Sequence, residues 1–415
     1  MTNIAILSAS RGVTLIKRFK KNLANNGGGK VYALDVSTDR PAMLFADEMI
    51  VCPYVGSENY DEFILNFCKE HSIDLLLSCR DEDLIELARL KKEINAIGTL
   101  VMVASDETIR LCHEKKLFNE FCKKNHFSIP KVFDAQSKIS FPVFLKPNVG
   151  KGSTNTFKVL NAQMLESILA NYEEDFIVQE FLDSTEYSVD LFADFNGEVI
   201  SVVPRHRVLT VAGESYIGKT VKNKKIIEES IRLSKTLKLV GHNTLQCFFD
   251  GEIVKWIEVN PRFGGAANLG FESGHDTTEY LVSILRGDKV TPKVGEFDSG
   301  LKMLRYTNDV FKSEDKAKPK NKIFCIDIDG TICTEGCPYE NAKPITKVVN
   351  KINELYNENT IILYTARGAS SGFDWKPLTE KQLNEWGVKY HSLLMGKPYA
   401  DYYIDNKAID VLDWI

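Results

Sequence analysis

The run KIFCIDIDGTIC, Lys322 to Cys333, ends an apolar strand in two aspartates two residues apart, Asp327 and Asp329. At a strand's carboxyl end, one carboxylate can attack a phosphorus atom as nucleophile while the other protonates the leaving oxygen. Later segments supply what such a site needs. Thr365, ending IILYT, can hydrogen-bond the phosphoryl group, and Lys397 can offset the clustered carboxylates. Asp405 can join Asp327 and Asp329 around a Mg²⁺ or Mn²⁺ ion.

A second constellation lies upstream. In FPVFLKPNVGKGS, Phe141 to Ser153, Lys146 ends an apolar strand and precedes a loop holding Gly150, Lys151, Gly152 and Ser153. Such a loop presents backbone N–H groups to phosphate oxygens, and the lysine is a fixed cation beside them. FIVQEFL, Phe176 to Leu182, is an apolar strand interrupted by Gln179 and Glu180, a polar pair able to meet an adenine edge between apolar walls. TLQCFFDGEIVKWIEVNPRFGG, Thr244 to Gly265, reads as a hairpin turning at Asp250-Gly251. Glu258 and Asn260 are two apart and share one strand face, which Gln246 reaches across the hairpin. Their oxygens suit Mg²⁺. A merely solvated face fits poorly beside Trp256, Ile257 and Val259.

GESYIGKT, Gly213 to Thr220, matches the Walker A spacing. A true P-loop follows a buried parallel strand, whereas Arg205, His206 and Arg207 interrupt the approach here, and Glu214 would stand among phosphates. Arg205 and Arg207 are better placed to grip a carboxylate or acyl phosphate of the substrate.

These residues need strands and turns to hold them. Short apolar runs at Ile4–Leu7, Val31–Leu34, Met49–Val51, Leu75–Leu77 and Leu100–Val103 alternate with amphipathic stretches, the pattern of a parallel βαβ sheet. Its first turn, Ser8-Ala9-Ser10-Arg11-Gly12, has one glycine where a dinucleotide fingerprint wants three, so NAD is not expected. From Phe141 to Asn308 the texture is α+β, and KSEDKAKPKNK, Lys312 to Lys322, reads as a linker. Strand and helix alternate again from Ile323. The expected fold class is thus α/β and α+β multidomain: residues 1–112, 113–310, a linker at 311–321, and 322–415.

With 415 residues and a net charge of -5, the chain has room for several cores and no cationic excess for nucleic acid. No signal-like start or membrane-length apolar run is present, which makes a cytoplasmic protein the expectation. The nine cysteines lack CxxC pairs and read as reduced thiols; Cys333 and Cys337 have no second ligand pair for zinc.

The combination of FLKP, VQEFL and EVNPRFGG resembles the ATP-grasp superfamily, nearest the carbamoyl phosphate synthetase-like carboxylate–amine ligases, over roughly Met1 to Asn308. The resemblance implies a Rossmann-like pre-ATP-grasp domain followed by two lobes gripping ATP. Lys115 and Lys146 would contact phosphates under a lid of Gly150, Lys151, Gly152 and Ser153. Gln179, Glu180, Phe181 and Leu182 would form the adenine hinge, and Glu186 would hold the ribose. Gln246, Glu258 and Asn260 would bind metal, with Arg262 facing the transferred phosphoryl group. Residues Ile323 to Ile415 resemble a capless haloacid dehalogenase (HAD) superfamily phosphatase, a Rossmannoid domain, although Asn406 follows Asp405 where a second acid is common. The joint expectation is an ADP-forming ligase joining a small-molecule carboxylate and an amine, fused to a hydrolase for a phosphorylated small molecule. No nucleic acid or membrane partner is expected, and a homodimer is compatible with it. A small-molecule kinase is the alternative, and a non-catalytic ATP sensor would lack the metal ligands and nucleophile.

Overall fold

The computed structural model describes every residue except 135–137, 151, 153, 313–320, 337, 401–407 and 415. Lys151, Ser153, Cys337, Asp405, Asn406 and most of the expected linker lie outside the described residues. The chain divides into two compact units, Met1–Val310 and Phe311–Ile415.

The first unit opens with β1 (Ile4–Leu7), α1 (Val13–Asn25), β2 (Val31–Asp35), β3 (Glu48–Val51), α2 (Tyr60–Glu70), β4 (Leu75–Ser78), α3 (Asp81–Ala96) and β5 (Leu100–Val101). Its five strands form a parallel sheet in the order β3-β2-β1-β4-β5. The near-continuous apolar strands IAIL and LLLS are buried throughout, as a sheet covered on both faces requires. In α1, Leu15, Ile16, Phe19 and Leu23 recur at helical spacing and bury one stripe.

Next come α4 (Asp106–His113), α5 (Lys115–Lys124), β6 (Val132–Phe133), β7 (Val143–Pro147), β8 (Phe157–Val159), α6 (Ala162–Asn171) and β9 (Phe176–Glu180). The strands among them make a small sheet ordered β6-β9-β7-β8. The larger lobe holds β10 (Thr185–Ala193), β11 (Val199–Val211), β12 (Glu214–Thr220), α7 (Lys224–Leu237), β13 (Gly241–Phe249), β14 (Val254–Asn260), α8 (Asn268–Glu272), α9 (Thr277–Leu285) and β15 (Lys302–Leu304). Its sheet runs β14-β13-β10-β11-β12-β15, antiparallel throughout. GESYIGKT is strand β12, paired with β11 and β15, and forms no phosphate loop before a helix. One face of this sheet packs Val189, Leu191, Leu245, Trp256 and Val259 against α7 residues such as Leu233.

The second unit contains β16 (Ile323–Ile326), α10 (Thr346–Leu355), β17 (Thr360–Thr365), α11 (Lys376–Glu385), β18 (Ser392–Met395) and α12 (Val411–Trp414). Its sheet is parallel, ordered β16-β17-β18, with Val348, Ile352, Ile361, Leu363 and Leu383 in the core. Among the described residues of either unit, no helix is long and apolar enough to cross a membrane.

Candidate active site

Strands of both antiparallel sheets wall a cavity of about 480 Å³ in the first unit. Lys115, Lys146, Gly150, Gly152, Gln179, Glu180, Phe181, Leu182, Glu186, Arg205, Arg207, Gln246, Glu258, Asn260 and Arg262 all line it. Segments more than a hundred residues apart in sequence therefore converge on one space.

Local bonding explains how the two lysines come together. Lys115 opens α5, whose preceding residue Glu114 offers no side-chain cap. Asn148, just past β7, substitutes: its Oδ1 accepts from the Lys116 backbone N–H at 2.9 Å and its carbonyl from the Lys115 N–H at 3.1 Å. Lys115 Nζ then donates to the Gly150 carbonyl at 2.9 Å. Lys146 is 4% exposed, and its ammonium reaches the Ile257 carbonyl only at 3.5 Å. Burial pulls the Lys146 ammonium down to about 8, against the upward pull of Glu258 and with a further push from Lys115.

On the β13–β14 hairpin, Gln246 is the direct cross-strand neighbour of Glu258, and Thr244 that of Asn260. Asn260 Nδ2 donates to Glu258 Oε1 at 3.0 Å, so these two side chains touch. Trp256, fully buried, anchors the strand from its core face. The hairpin turns as its sequence requires: Asp250 Oδ1 accepts from the N–H groups of Glu252 and Ile253 at 2.9 and 2.8 Å.

Several of the side chains expected at the site are held by partners in the fold. Arg205 is 1% exposed, and its Nε and Nη2 each donate to a carboxylate oxygen of Asp190 at 2.7 Å. Its charge is matched inside the sheet, and only Nη1 makes no hydrogen bond. Arg207 is committed too, with Nη1 on Ser188 Oγ at 3.1 Å, Nη2 on the Gly213 carbonyl at 2.8 Å, and Nε 3.1 Å from Glu186. Burial pushes the Glu186 carboxyl up, and Arg207 opposes it. Gly213 has φ +76° and meets the expected lid: a Cβ there would stand 2.8 Å from the Gly152 carbonyl carbon. The Glu180 carboxylate does not face the cavity alone, since its Oε1 accepts from the Lys131 N–H at 2.8 Å and from Lys255 Nζ at 2.7 Å. Arg262 is gripped by Asp81 of α3 through Nε at 2.8 Å and Nη2 at 2.7 Å. Asp81 and Asn148 escaped the sequence reading because each acts through another residue, at the start of α3 and just after the FLKP strand.

The second unit gathers its own cluster. Asp327 follows β16, and Lys397 Nζ donates to its Oδ2 at 2.6 Å. Asp329, expected both as proton donor and as metal ligand, is held by Arg367 through Nε at 2.9 Å and Nη2 at 2.7 Å. Thr365 is fully buried, accepting from the Arg367 N–H at 3.1 Å and reaching Asp329 Oδ2 at 3.5 Å, so its hydroxyl turns toward the acid and not outward. Arg367 was missed, although it stands in the same YTARG segment as Thr365.

Known proteins share the first unit's plan. Residues 4–102 match the family model of the PylC-like N-terminal domain, and residues 172–308 match one described as ATP-grasp in the biosynthetic pathway with Ter operon. The carbamoyl phosphate synthase large chain of Clostridium acetobutylicum is 24% identical over 254 residues, covering 56% of this chain and 22% of that protein. The corresponding large chain of a Thermoanaerobacter species is 25% identical over 226 residues, covering 48% and 21%. The chain thus spans about a fifth of the length of these curated relatives. Among solved structures, the biotin carboxylase of Campylobacter jejuni in a β-γ-ATP complex superposes with a TM-score of 0.59 at 17% identity, over 72% of this chain and 74% of that one. An N5-carboxyaminoimidazole synthetase of Staphylococcus aureus complexed with ADP gives 0.58 at 16%, over 72% and 80%. The L-amino acid ligase of Bacillus licheniformis gives 0.54 at 18%, over 72% and 78%. Met1–Val310 has the ATP-grasp fold, with residues 4–102 resembling PylC-like proteins, residues 172–308 an ATP-grasp family, and the chain as a whole similar in part to carbamoyl phosphate synthase large chains.

Proposed function

We propose that the first unit is an ATP-dependent carboxylate–amine ligase forming ADP, and that the second is a phosphatase using Asp327 as nucleophile. The observation that carries the first reading is the convergence of two lysines and an oxygen-rich set on one cavity. Lys115, Lys146, Gln246, Glu258 and Asn260 all line it, the last three from the paired strands β13 and β14. A buried lysine whose ammonium is pulled down to about 8 by burial is a site built for an anion to complete it. Amide and carboxylate oxygens on one strand face fit a hard divalent cation such as Mg²⁺ or Mn²⁺, which would neutralise phosphate charge there.

Under this reading ATP lies between the sheets, its phosphates toward Lys115 and Lys146 and its base toward Gln179 and Phe181. A substrate carboxylate oxygen bonds to the γ-phosphorus as the bond to the ADP oxygen breaks, giving an acyl phosphate. An amine then attacks the carbonyl carbon, phosphate leaves, and the amine's surplus proton passes to solvent. Arg262, held square by Asp81, has its guanidinium beside the Asn260 side chain at 3.3 Å, in place to steady the transferred group. Retained metal-ligand and nucleophile positions argue against a mere ATP sensor. A kinase would use the same cavity with one acceptor.

For the second unit, Asp327 with Lys397 at the carboxyl end of a parallel sheet supports phosphoryl chemistry. An ADP-release screen of the purified chain against acid and amine pairs, some phosphorylated, tests the ligase reading. ADP should appear only when both partners are present. Full turnover with a single acceptor would establish a kinase instead.

A further inference from the structure

We infer that Arg205 receives the carboxylate of the acid substrate on its Nη1, and that Asp190 and His242 position the guanidinium for that contact. The inference rests on the ligase reading of the first unit and adds the group that holds the acid. Arg205 lines the cavity and is almost wholly buried. Its Nε and Nη2 donate to the two oxygens of Asp190 at 2.7 Å each, so the fork fixes the plane of the guanidinium and its rotation. Nη1 is buried and makes no hydrogen bond. An arginine whose task ended with the ion pair would have its remaining N–H groups met by a carbonyl or hydroxyl, because a buried donor left unpaired is costly. Here an acceptor entering the cavity completes it, and an ionised carboxylate is acceptor-only. The sheet register puts this donor near the reacting atoms. Asp190 is the direct neighbour of Thr244, and Thr244 of Asn260, so the residue that holds Arg205 lies two strand spacings, about 10 Å, from an expected metal ligand.

Asp190 is itself confined. His242 is fully buried, with Nε2 3.7 Å from Asp190 Oδ1 and Nδ1 3.0 Å from Thr277 Oγ1 at the start of α9. Burial pulls the imidazole down to about 4, so the ring is neutral at pH 7 and leaves the charges of Asp190 and Arg205 to balance each other. On the other oxygen, a Cβ at Gly270 of α8 would stand 2.7 Å from Asp190 Oδ2, so only glycine leaves the carboxylate where the fork needs it. The His242 ring stacks on Phe263, centroids 4.3 Å apart and planes at 11°. The Phe263 carbonyl in turn accepts from Arg262 Nη1 at 3.2 Å. One stack therefore ties both cavity arginines to the same frame, Arg262 held by Asp81 and Arg205 by Asp190. In the activation step one carboxylate oxygen of the acid bonds to the γ-phosphorus and the bond to the ADP oxygen breaks with its electron pair. The other oxygen stays on Nη1, and no proton moves. It becomes the carbonyl oxygen of the acyl phosphate, and Nη1 meets the negative charge that grows there as the amine adds. A lysine at 205 could not make the fork with Asp190 and also present a donor in a fixed direction.

The test supplies the full-length chain with MgATP, hydroxylamine as the amine surrogate, and a panel of the standard amino acids and short mono- and dicarboxylic acids, and reads the hydroxamate formed. On the acid that the wild type uses best, KM is then measured separately for the acid and for MgATP. Arg205→Lys should raise the acid KM by about 30-fold and Asp190→Asn by about tenfold, the range expected for a hydrogen bond to a charged group, with the MgATP KM within about twofold of the wild type. His242→Phe keeps Arg205, Asp190 and the stack on Phe263 and should raise the acid KM by about threefold, which covers the case of an Arg205 or Asp190 variant that does not fold. A merely structural ion pair would move both KM values together or neither. For each variant that folds, an unchanged acid KM, or one that rises in step with the MgATP KM, overturns the inference and leaves the ligase reading standing. If no acid of the panel yields hydroxamate or ADP with the wild type, the ligase reading is wrong and the inference goes with it.

Discussion

Lys146 is the residue on which nucleotide binding should turn most visibly. Free, it titrates near 8, because burial disfavours its charge. A bound polyphosphate favours that charge and raises the value, so above pH 8 binding takes up a proton. Affinity for MgATP should consequently be constant below about pH 7 and weaken as pH rises through 8 toward 10, approaching tenfold per unit. Calorimetric or fluorescence titrations across that range, compared with Lys146→Met, check this; a flat wild-type profile would remove Lys146 from the phosphate site. At Glu258 the expectation is simpler. Glu258→Ala should reduce ATP turnover to background and leave phosphate release by the second unit unchanged, measured on one preparation with two assays. The residues that converge on the cavity were legible because a lysine at a strand end and polar residues two apart on a strand carry their own spacing. Their restraints were not: Asp190 on Arg205, Asp81 on Arg262 and Arg367 on Asp329 are contacts between segments, and a sequence shows no such distance.

Two elements carry most of the positioning. The β13–β14 hairpin was readable from its Asp-Gly turn, but the register shift between Gln246 and Cys247 was not, and it is this shift that lets Trp256 pack in the core with Val259 while Glu258 and Asn260 line the cavity. Trp256→Ala should lower the stability of the first unit by about 3–5 kcal/mol, the usual cost of emptying a large buried aromatic site, seen as a shifted denaturation midpoint. A change under about 1 kcal/mol would mean the hairpin is held by something else. The start of α3 was readable as a helix but not as part of the site, since Asp81 looks like an ordinary first-turn acid. Asp81→Ala frees Arg262 and should lower kcat of ATP turnover by about 100-fold with ATP affinity kept, as misplacement of a catalytic group does. Loss of affinity with kcat kept would assign Arg262 to binding. GESYIGKT shows the opposite lesson. Its letters fit a P-loop, yet the pairing of β11, β12 and β15 makes it sheet.

At the scale of the whole molecule, the chain divides into two units, each with its own cluster of chemistry-bearing side chains. The first unit's plan was legible because each layer repeats a simple hydrophobic period, and the unit boundary falls at Val310, beside the charged run that marks the linker. Which acid and amine are joined is not written in any one segment, because the cavity is lined by residues of seven strands, α5 and the loops between them. The central claim is that the first unit moves the γ-phosphoryl group of ATP onto a carboxylate. Once the screen identifies an acid and amine pair, the acid is supplied with ¹⁸O in its carboxylate and the released phosphate is analysed by mass spectrometry. One labelled oxygen in the phosphate, dependent on the amine and lost in Glu258→Ala, is the predicted result; phosphate free of label, with ADP still formed, would contradict it.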